Sequence, residues 1–171
     1  MTDELPPKVR EMIGKPLYEE RTEFPIEMGY VYNTCAAVHN GNPLYWDSQV
    51  AQEITDGQIT PPTMLSVWFR PHYWAPGAEG ERKALMTHFD LKDLLELPEA
   101  VVASSETVFG EPVRIGDVLT TRQIVREVGP LKQTKLGTGR FWTIDVEIVN
   151  QNGDWVGTDI YTMFGYRRPQ Q

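Results

Sequence analysis

The fold is decided by one stretch in the C-terminal half, which reads Phe141-Trp142-Thr143-Ile144-Asp145-Val146-Glu147-Ile148-Val149. Large apolar side chains alternate here with polar ones, and a strand places successive side chains on opposite faces. The apolar face would carry Trp142, Ile144, Val146 and Ile148. The stretch therefore predicts a strand that is buried on one face and solvated on the other.

Further strands are predicted on both sides of this stretch. Asn152-Gly153 is a pair typical of a type I′ hairpin turn, and residues 155–166 alternate again, with Val156, Ile160 and Phe164 two or four apart. Upstream, residues 101–109 and 119–128 have strand-like composition between Gly and Pro stops. The second half of the chain is thus predicted to be an antiparallel meander of three or four long strands.

The first half is predicted to be helical. Apolar spacing and breakers favour helices at residues 8–13, 26–38, 49–54 and 64–69, with a polar extended connector at 17–25. Residues 64–69 are apolar nearly all round, which indicates a helix buried on most sides. Helices followed by an antiparallel sheet predict an α+β fold with the sheet wrapped around that apolar helix. We expect one domain over residues 1–171, with residues 70–98 as an inserted loop containing a short helix.

Charge and composition exclude several classes of function. A net charge of −8 and a pI near 4.9 argue against a nucleic-acid binder. Coenzyme A needs only a local basic patch, which four arginines could supply unless they are simply solvated at the surface. These arginines are Arg122, Arg126, Arg167 and Arg168.

Metal, disulfide and membrane features are not expected either. The lone Cys35 allows no disulfide within the chain and is more typical of core than of a nucleophile, and the three histidines have no zinc-ligand spacing. An acidic start without an apolar run is unlike a signal peptide, and no apolar stretch is long enough to span a bilayer. We therefore expect no metal, no cofactor, no membrane contact and a cytoplasmic location.

One loop carries the functional signal, and it reads Asn40-Gly41-Asn42-Pro43-Leu44-Tyr45-Trp46-Asp47. On local grounds it is a turn between two helices, with Asp47 or Ser48 capping the second. It resembles the signature of MaoC-like (R)-specific enoyl-CoA hydratases and dehydratases, Asp-x-Asn-Pro-(Ile/Leu)-His-x-Asp. Pro62-Thr63-Met64-Leu65 is similar to the family's His-Gly-Met-Leu helix start, in the form of its N-terminal-type dehydratase branch.

The resemblance implies a hotdog fold and a defined chemistry. In this family a carboxylate and an imidazole activate water for addition across a 2-enoyl thioester, and a backbone N–H at the start of the central helix polarises the carbonyl. The family Asp falls on Asn40 and the family His on Tyr45. An amide is not basic, and a phenol with an ordinary pKa near 10 activates water poorly.

Other residues are candidates for the remaining roles. The N–H of Thr63 or Met64 could still face an oxyanion. Asn42 and Trp68 are further substrate-binding candidates. A rearranged pair of His39 and Asp47 is the alternative for acid–base work, although Asp47 is more simply a helix cap.

Three functions follow as hypotheses. The first is a non-catalytic or partner-dependent MaoC-like subunit that binds an acyl-CoA or acyl-carrier thioester and completes a hotdog dimer. The second is an active enoyl-CoA hydratase, 3-hydroxyacyl dehydratase or other thioester enzyme that uses non-standard residues. The third is an acyl-CoA binding module, suggested by the aromatic residues Trp46, Trp68, Tyr73 and Trp74. An exposed sheet edge favours a dimer in each case, either with itself or with a catalytic MaoC-like subunit.

Overall fold

The computed structural model describes residues 3–70, 76–77 and 84–169. Their helical elements, in chain order, are α1 Pro7–Met12, α2 Met28–Ala37, α3 Pro43–Trp46, α4 Ser48–Thr55, a 3₁₀ helix η1 at Pro62–Phe69, and α5 Met86–Leu94. Their strands are β1 Pro16–Arg21, β2 Glu99–Phe109, β3 Thr120–Val128, β4 Lys132–Gln133, β5 Thr138–Val149 and β6 Trp155–Arg167. The α+β prediction is confirmed.

One antiparallel sheet contains all the described strands. Its order is β1-β3-β5-β6-β2, and the short β4 pairs with β5. β5 and β6 form the central hairpin, in which Ile144 lies opposite Tyr161 and Trp142 opposite Met163. Trp142, Ile144 and Ile148 are fully or almost fully buried, as their alternation predicts. β1 and β2 are the two edges of the sheet.

Two helical layers cover the inner face of this sheet. At one end η1 lies on it, and Leu65 packs with Leu119, Ile148 and Val156. A Cβ added to Gly157 of β6 would lie 2.5 Å from a Leu65 methyl carbon, so only glycine allows this close approach. At the other end α1 and α5 bury Val9 and Leu91 against the strands. The predicted apolar helix thus shares the inner face with α5, the short helix expected within residues 70–98.

Three local predictions are wrong. The strands of the second half are not a simple meander, because β2 pairs with β6 rather than with β3. Residues 17–25 are not only a connector, because Pro16–Arg21 forms edge strand β1 and pairs with β3. The hairpin after β5 is not type I′, since Gly153 has φ +85° but Asn152 has no positive φ. Instead the Asn150 side chain accepts hydrogen bonds from the N–H groups of Asn152 and Asp154, which gives a wider turn.

The helix predicted at residues 64–69 is also less enclosed than expected within the single chain. Met64 and Leu65 are buried, whereas Thr63 and Ser66 are exposed. Among the described residues, no helix combines the length and apolar character needed to cross a bilayer.

Candidate functional site

The loop between α2 and α4 is built from its own polar side chains. α2 ends at Ala37, and His39 turns the chain with φ +54°. The Asn40 N–H then donates to the Cys35 carbonyl at 2.8 Å, which brings the loop back against the end of the helix. Positive φ is tolerated by His more readily than by β-branched residues, so this reversal carries little strain.

Asn40 stabilises the turn through hydrogen bonds of its side chain and its backbone carbonyl. Its side-chain oxygen accepts a hydrogen bond from the Asn42 N–H at 3.1 Å, the geometry of an Asx turn. Its carbonyl accepts a hydrogen bond from the indole N–H of Trp46 at 2.7 Å. The Trp46 ring in turn stacks on Tyr32, with centroids 5.0 Å apart. The residue at the position of the family carboxylate therefore stabilises the loop.

Asn42 and Asp47 are both helix caps. The Asn42 side-chain oxygen accepts from the Leu44 N–H at 3.0 Å at the start of α3. The Asp47 carboxylate accepts from the N–H groups of Gln49 and Val50 at 2.8 and 3.3 Å at the start of α4. The capping role predicted for Asp47 is confirmed, and Asn42 has the same role one helix earlier.

Tyr45 fills a pocket beneath the loop. Only 8% of its surface is exposed, and it packs in one cluster with Val31, Cys35 and Met64. Burial raises the pKa of Tyr45 above its usual value near 10, and Cys35 adds to the effect. Burial likewise raises the pKa of the Cys35 thiol. A phenol held in its neutral form at neutral pH is a poor proton acceptor.

The start of η1 lies beside this pocket, because Met64 and Tyr45 belong to the same cluster. The Met64 N–H donates to the Pro61 carbonyl at 2.9 Å, so it is already engaged. Thr63 is exposed, and its N–H at the first turn is the better of the two candidates for facing an oxyanion. Trp68 packs against the same cluster, and its buried indole N–H meets no acceptor within the described part of the chain.

The structure thus brings together some predicted site residues and separates others. Tyr45, Met64 and Trp68 meet at the pocket. His39 is exposed after the end of α2, and Asp47 caps α4. Of the aromatic residues proposed to surround the pocket, Tyr73 and Trp74 lie outside the described residues.

Sequence reasoning missed a polar group on the inner face of the sheet. Asp159 of β6 is only 5% exposed, and its carboxylate accepts a hydrogen bond from the Thr107 hydroxyl at 2.6 Å. The available signal was the period of two in β6, which puts Asp159 on the same face as Tyr161 and Met163. The predicted alternation instead runs through Ile160 and Phe164, which lie on the other face.

The four arginines do not form a free basic patch. Each of them pairs with a carboxylate, at distances of 2.6–3.3 Å. The pairs are Arg122–Glu147, Arg126–Asp145, Arg167–Glu96 and Arg168–Glu99. Within the described ranges, no group of three or more His, Cys, Asp or Glu side chains is placed to hold a metal ion.

A family model supports the sequence resemblance. The model described as "FAS1-like, dehydratase domain region" matches residues 11–159 of the chain. A probable enoyl-CoA hydratase alpha subunit from Thermomonospora curvata is 25% identical over 169 residues, which cover 94% of this chain. The chain spans about half the length of that curated relative, since the match covers 51% of it.

Solved structures share the fold. A chain of the ChsH1-ChsH2 complex from Mycobacterium tuberculosis superposes with a TM-score of 0.75 at 19% identity, covering 95% of this chain and 91% of that one. The HadBC (3R-hydroxyacyl-ACP dehydratase) complex from the same organism gives 0.58 at 17% identity, covering 88% and 96%. A MaoC-like dehydratase from Rhodospirillum rubrum also gives 0.58 at 17% identity, covering 92% and 94%. These likenesses confirm the predicted hotdog fold.

Proposed function

The chain belongs to the family of FAS1-like dehydratase domain regions and has the fold of MaoC-like hydratases, and from this membership we propose that it is a non-catalytic subunit. In this proposal it binds an acyl thioester and completes a hotdog dimer, while the partner chain supplies the acid–base pair. The observation that carries the proposal is the state of the two acid–base positions of the family loop.

Both positions are occupied by groups that cannot activate water. Asn40 has an amide that does not take up a proton near neutral pH, and its oxygen is engaged by the Asn42 N–H. Tyr45 is buried, and its raised pKa keeps the phenol neutral. General-base catalysis needs a group whose pKa lies near the working pH. Neither side chain meets that requirement.

The alternative pair is no better placed. His39 is exposed after the end of α2, while the Asp47 carboxylate accepts two backbone hydrogen bonds as the cap of α4. Asp47 is thus committed to a structural role, and His39 has no hydrogen-bonded carboxylate partner in the part of the chain that the structure describes. This arrangement favours the non-catalytic function over an enzyme that uses substitute residues.

Thioester binding does not require the missing pair. The exposed first turn of η1 presents the Thr63 N–H, and helix starts favour negative charge on a nearby oxygen. Beside it the half-buried Trp68 packs against the apolar cluster that contains Tyr45 and Met64, and in this proposal the acyl chain lies against that apolar surface.

The edge strand β2 is the surface that we propose for the partner. It is eleven residues long, and four of its large apolar side chains remain 39–59% exposed in the single chain. Those side chains are Val101, Val102, Val108 and Phe109. A long, apolar, unpaired edge is a liability unless another strand covers it. The other edge, β1, is only six residues long, and both edge strands carry an irregularity, at Tyr18 in β1 and between Val102 and Ser104 in β2.

The relatives are consistent with such an assembly. The curated relative is described as an alpha subunit, and two of the solved structures are complexes. In this proposal the carrier of the acyl group is coenzyme A or acyl carrier protein.

The test measures the hydration of crotonyl-CoA and longer 2-enoyl-CoAs, which is monitored as the loss of the enoyl absorbance. The purified full chain is assayed alone, with a MaoC-like chain that carries both the Asp and the His, and with that partner after its Asp is replaced by Asn. We expect turnover only with the intact partner. Robust turnover by the lone chain would overturn the proposal, and a His39→Ala variant would then report whether His39 is responsible.

A further inference from the structure

A buried carboxylate interrupts the apolar inner face of the sheet. Asp159 lies on β6 between two inner-face positions, Gly157 and Tyr161, and is 5% exposed. Among the described residues, Thr107 of β2 is the one hydrogen-bond donor to it, at 2.6 Å. A carboxylate can accept about four hydrogen bonds, so this one retains unused capacity.

Its neighbours extend the polar surface across the sheet. The strand register places Gln123 of β3 opposite Val146, Val146 opposite Asp159, and Asp159 opposite Thr107. Residues that lie directly opposite share a face of the sheet, so three of these four inner-face side chains are polar. Gln123 is also only 5% exposed, and its oxygen accepts the Thr87 N–H at 3.0 Å.

A fully buried hydroxyl adds to this pattern. Thr87, at the start of α5, has no exposed surface, and its hydroxyl has no hydrogen-bond partner within residues 3–70, 76–77 and 84–169. Buried polar side chains in folded proteins are almost always paired, with protein, water or ligand. Within the described residues, the unused acceptor capacity of Asp159 on the sheet and the unpaired Thr87 hydroxyl on α5 therefore point to a polar occupant.

The polar row lies within reach of the thioester position. Leu65 of η1 sits on Gly157, and Asp159 is two residues further along the same strand, about 7 Å away. Burial, and then the charge of Asp159, raises the pKa of Tyr161, and the positive charge of Arg70, which follows η1, opposes that rise. Thr63, the proposed oxyanion donor, lies two residues before Leu65 on η1.

We propose that Asp159 is a specificity-determining residue, and that the acyl group bound by this subunit carries a hydroxyl group at a distal carbon, which donates to the Asp159 carboxylate. The inference rests on the proposed function and names the substrate class of the same site. A plain alkyl chain beside this row would leave the remaining acceptor capacity of the buried carboxylate unmatched, which is unfavourable. A hydroxyl beside Asp159 supplies one charge-assisted hydrogen bond.

The test compares two ligands of equal chain length, 2-decenoyl-CoA and 10-hydroxy-2-decenoyl-CoA. Their binding to the full chain, alone and in complex with the partner whose Asp is replaced by Asn so that neither ligand is hydrated, is measured by titration calorimetry. We expect the hydroxylated ligand to bind about tenfold or more tightly, the ratio that a hydrogen bond to a charged group gives. In Asp159→Leu the preference should disappear, because the hydroxyl loses its acceptor while decenoyl binding is kept or improved.

Asp159→Asn is the second variant, since it keeps the shape of the side chain if the leucine variant does not fold. It should reduce the preference at unchanged decenoyl affinity. Asp145→Asn, the same chemical change on the opposite face of the sheet, should leave both affinities unchanged. Equal affinity of the native chain for the two ligands overturns the inference and leaves the proposed function standing. Equal weakening of both ligands in Asp159→Asn also overturns it, because that is the signature of a purely structural carboxylate. Failure of both ligands to bind either the chain or the complex overturns the inference and the proposed function together.

Discussion

Replacing Val102 by aspartate on the β2 edge should weaken the complex with the catalytic partner. Val102 remains 59% exposed in the single chain, and burying that surface is worth about 1 kcal/mol, since a complete valine contributes about 1.5–3 kcal/mol. Aspartate forfeits this gain and brings a short carboxylate that cannot reach the solvent at the rim, which adds about 1–3 kcal/mol. The dissociation constant should therefore rise by at least about thirtyfold.

The assay is titration of the partner into the chain by calorimetry, with analytical ultracentrifugation to count the chains in the complex. Ile54→Asp is the matched control, because Ile54 is 70% exposed on α4 and the change in charge is the same. The control should leave the dissociation constant within about twofold of the native value, as expected for a surface outside the interface. Equal weakening by both variants would show that net charge, rather than the β2 edge, governs association. No weakening by Val102→Asp would refute pairing through β2.

Three further predictions concern the loop, the sheet and a histidine. Asn40→Ala removes the acceptor of the Asx turn and should lower the free energy of unfolding, measured by urea titration, by about 1 kcal/mol. The kcat of the complex should stay unchanged. A large fall in kcat would instead give Asn40 a role in the reaction. Gly165→Ala places a methyl group 2.2 Å from the Cη2 atom of Trp142 and should lower the free energy of unfolding by about 1–3 kcal/mol. In the control Gly41→Ala the new methyl group meets no atom within 4 Å, and the loss should be less than about 0.5 kcal/mol. Both are measured by thermal denaturation. Burial, and then Lys92, lowers the pKa of His88 from its ordinary 6.5, so below that pH the unfolded chain binds a proton that the native chain does not. The free energy of unfolding should therefore fall as the pH drops through about 6.5. The same decline in His88→Gln would contradict this origin.

Local chemistry was sufficient to predict the elements that depend on one segment. Trp142 and Ile144 alternate with polar residues, and their strand is the centre of the sheet. Asp47 stands where a helix needs an acceptor for its first N–H groups, and it caps α4. In each case the decisive interaction is made within a few residues of the pattern that predicts it.

Elements that depend on a distant partner could not be read in this way. β1 has five exposed residues out of six, so it offers no apolar period, and only its pairing with β3 makes it a strand. The two faces of β6 both carry apolar residues, and the sequence alone does not say which face meets η1. Gly157 decides this, because Leu65 approaches it too closely for any side chain, and Asp159 then follows on the inner face.

The family loop shows how a fold can be kept while its chemistry is lost. An aspartate at position 40 would offer the same side-chain oxygen to the Asn42 N–H, so asparagine preserves the turn and removes only the basic group. Tyr45 fills its pocket with an aromatic ring that packs on Val31 and Met64, where an imidazole would bury a second polar nitrogen among apolar side chains. Asn40→Asp should accordingly fold as well as the native chain, with a melting temperature within about 2 °C of it, and should remain inactive alone, because Tyr45 still blocks the second acid–base position. Hydratase activity in that single variant would show that the loop needs only one of the two groups, and it would move the chain from a supporting subunit to a latent enzyme.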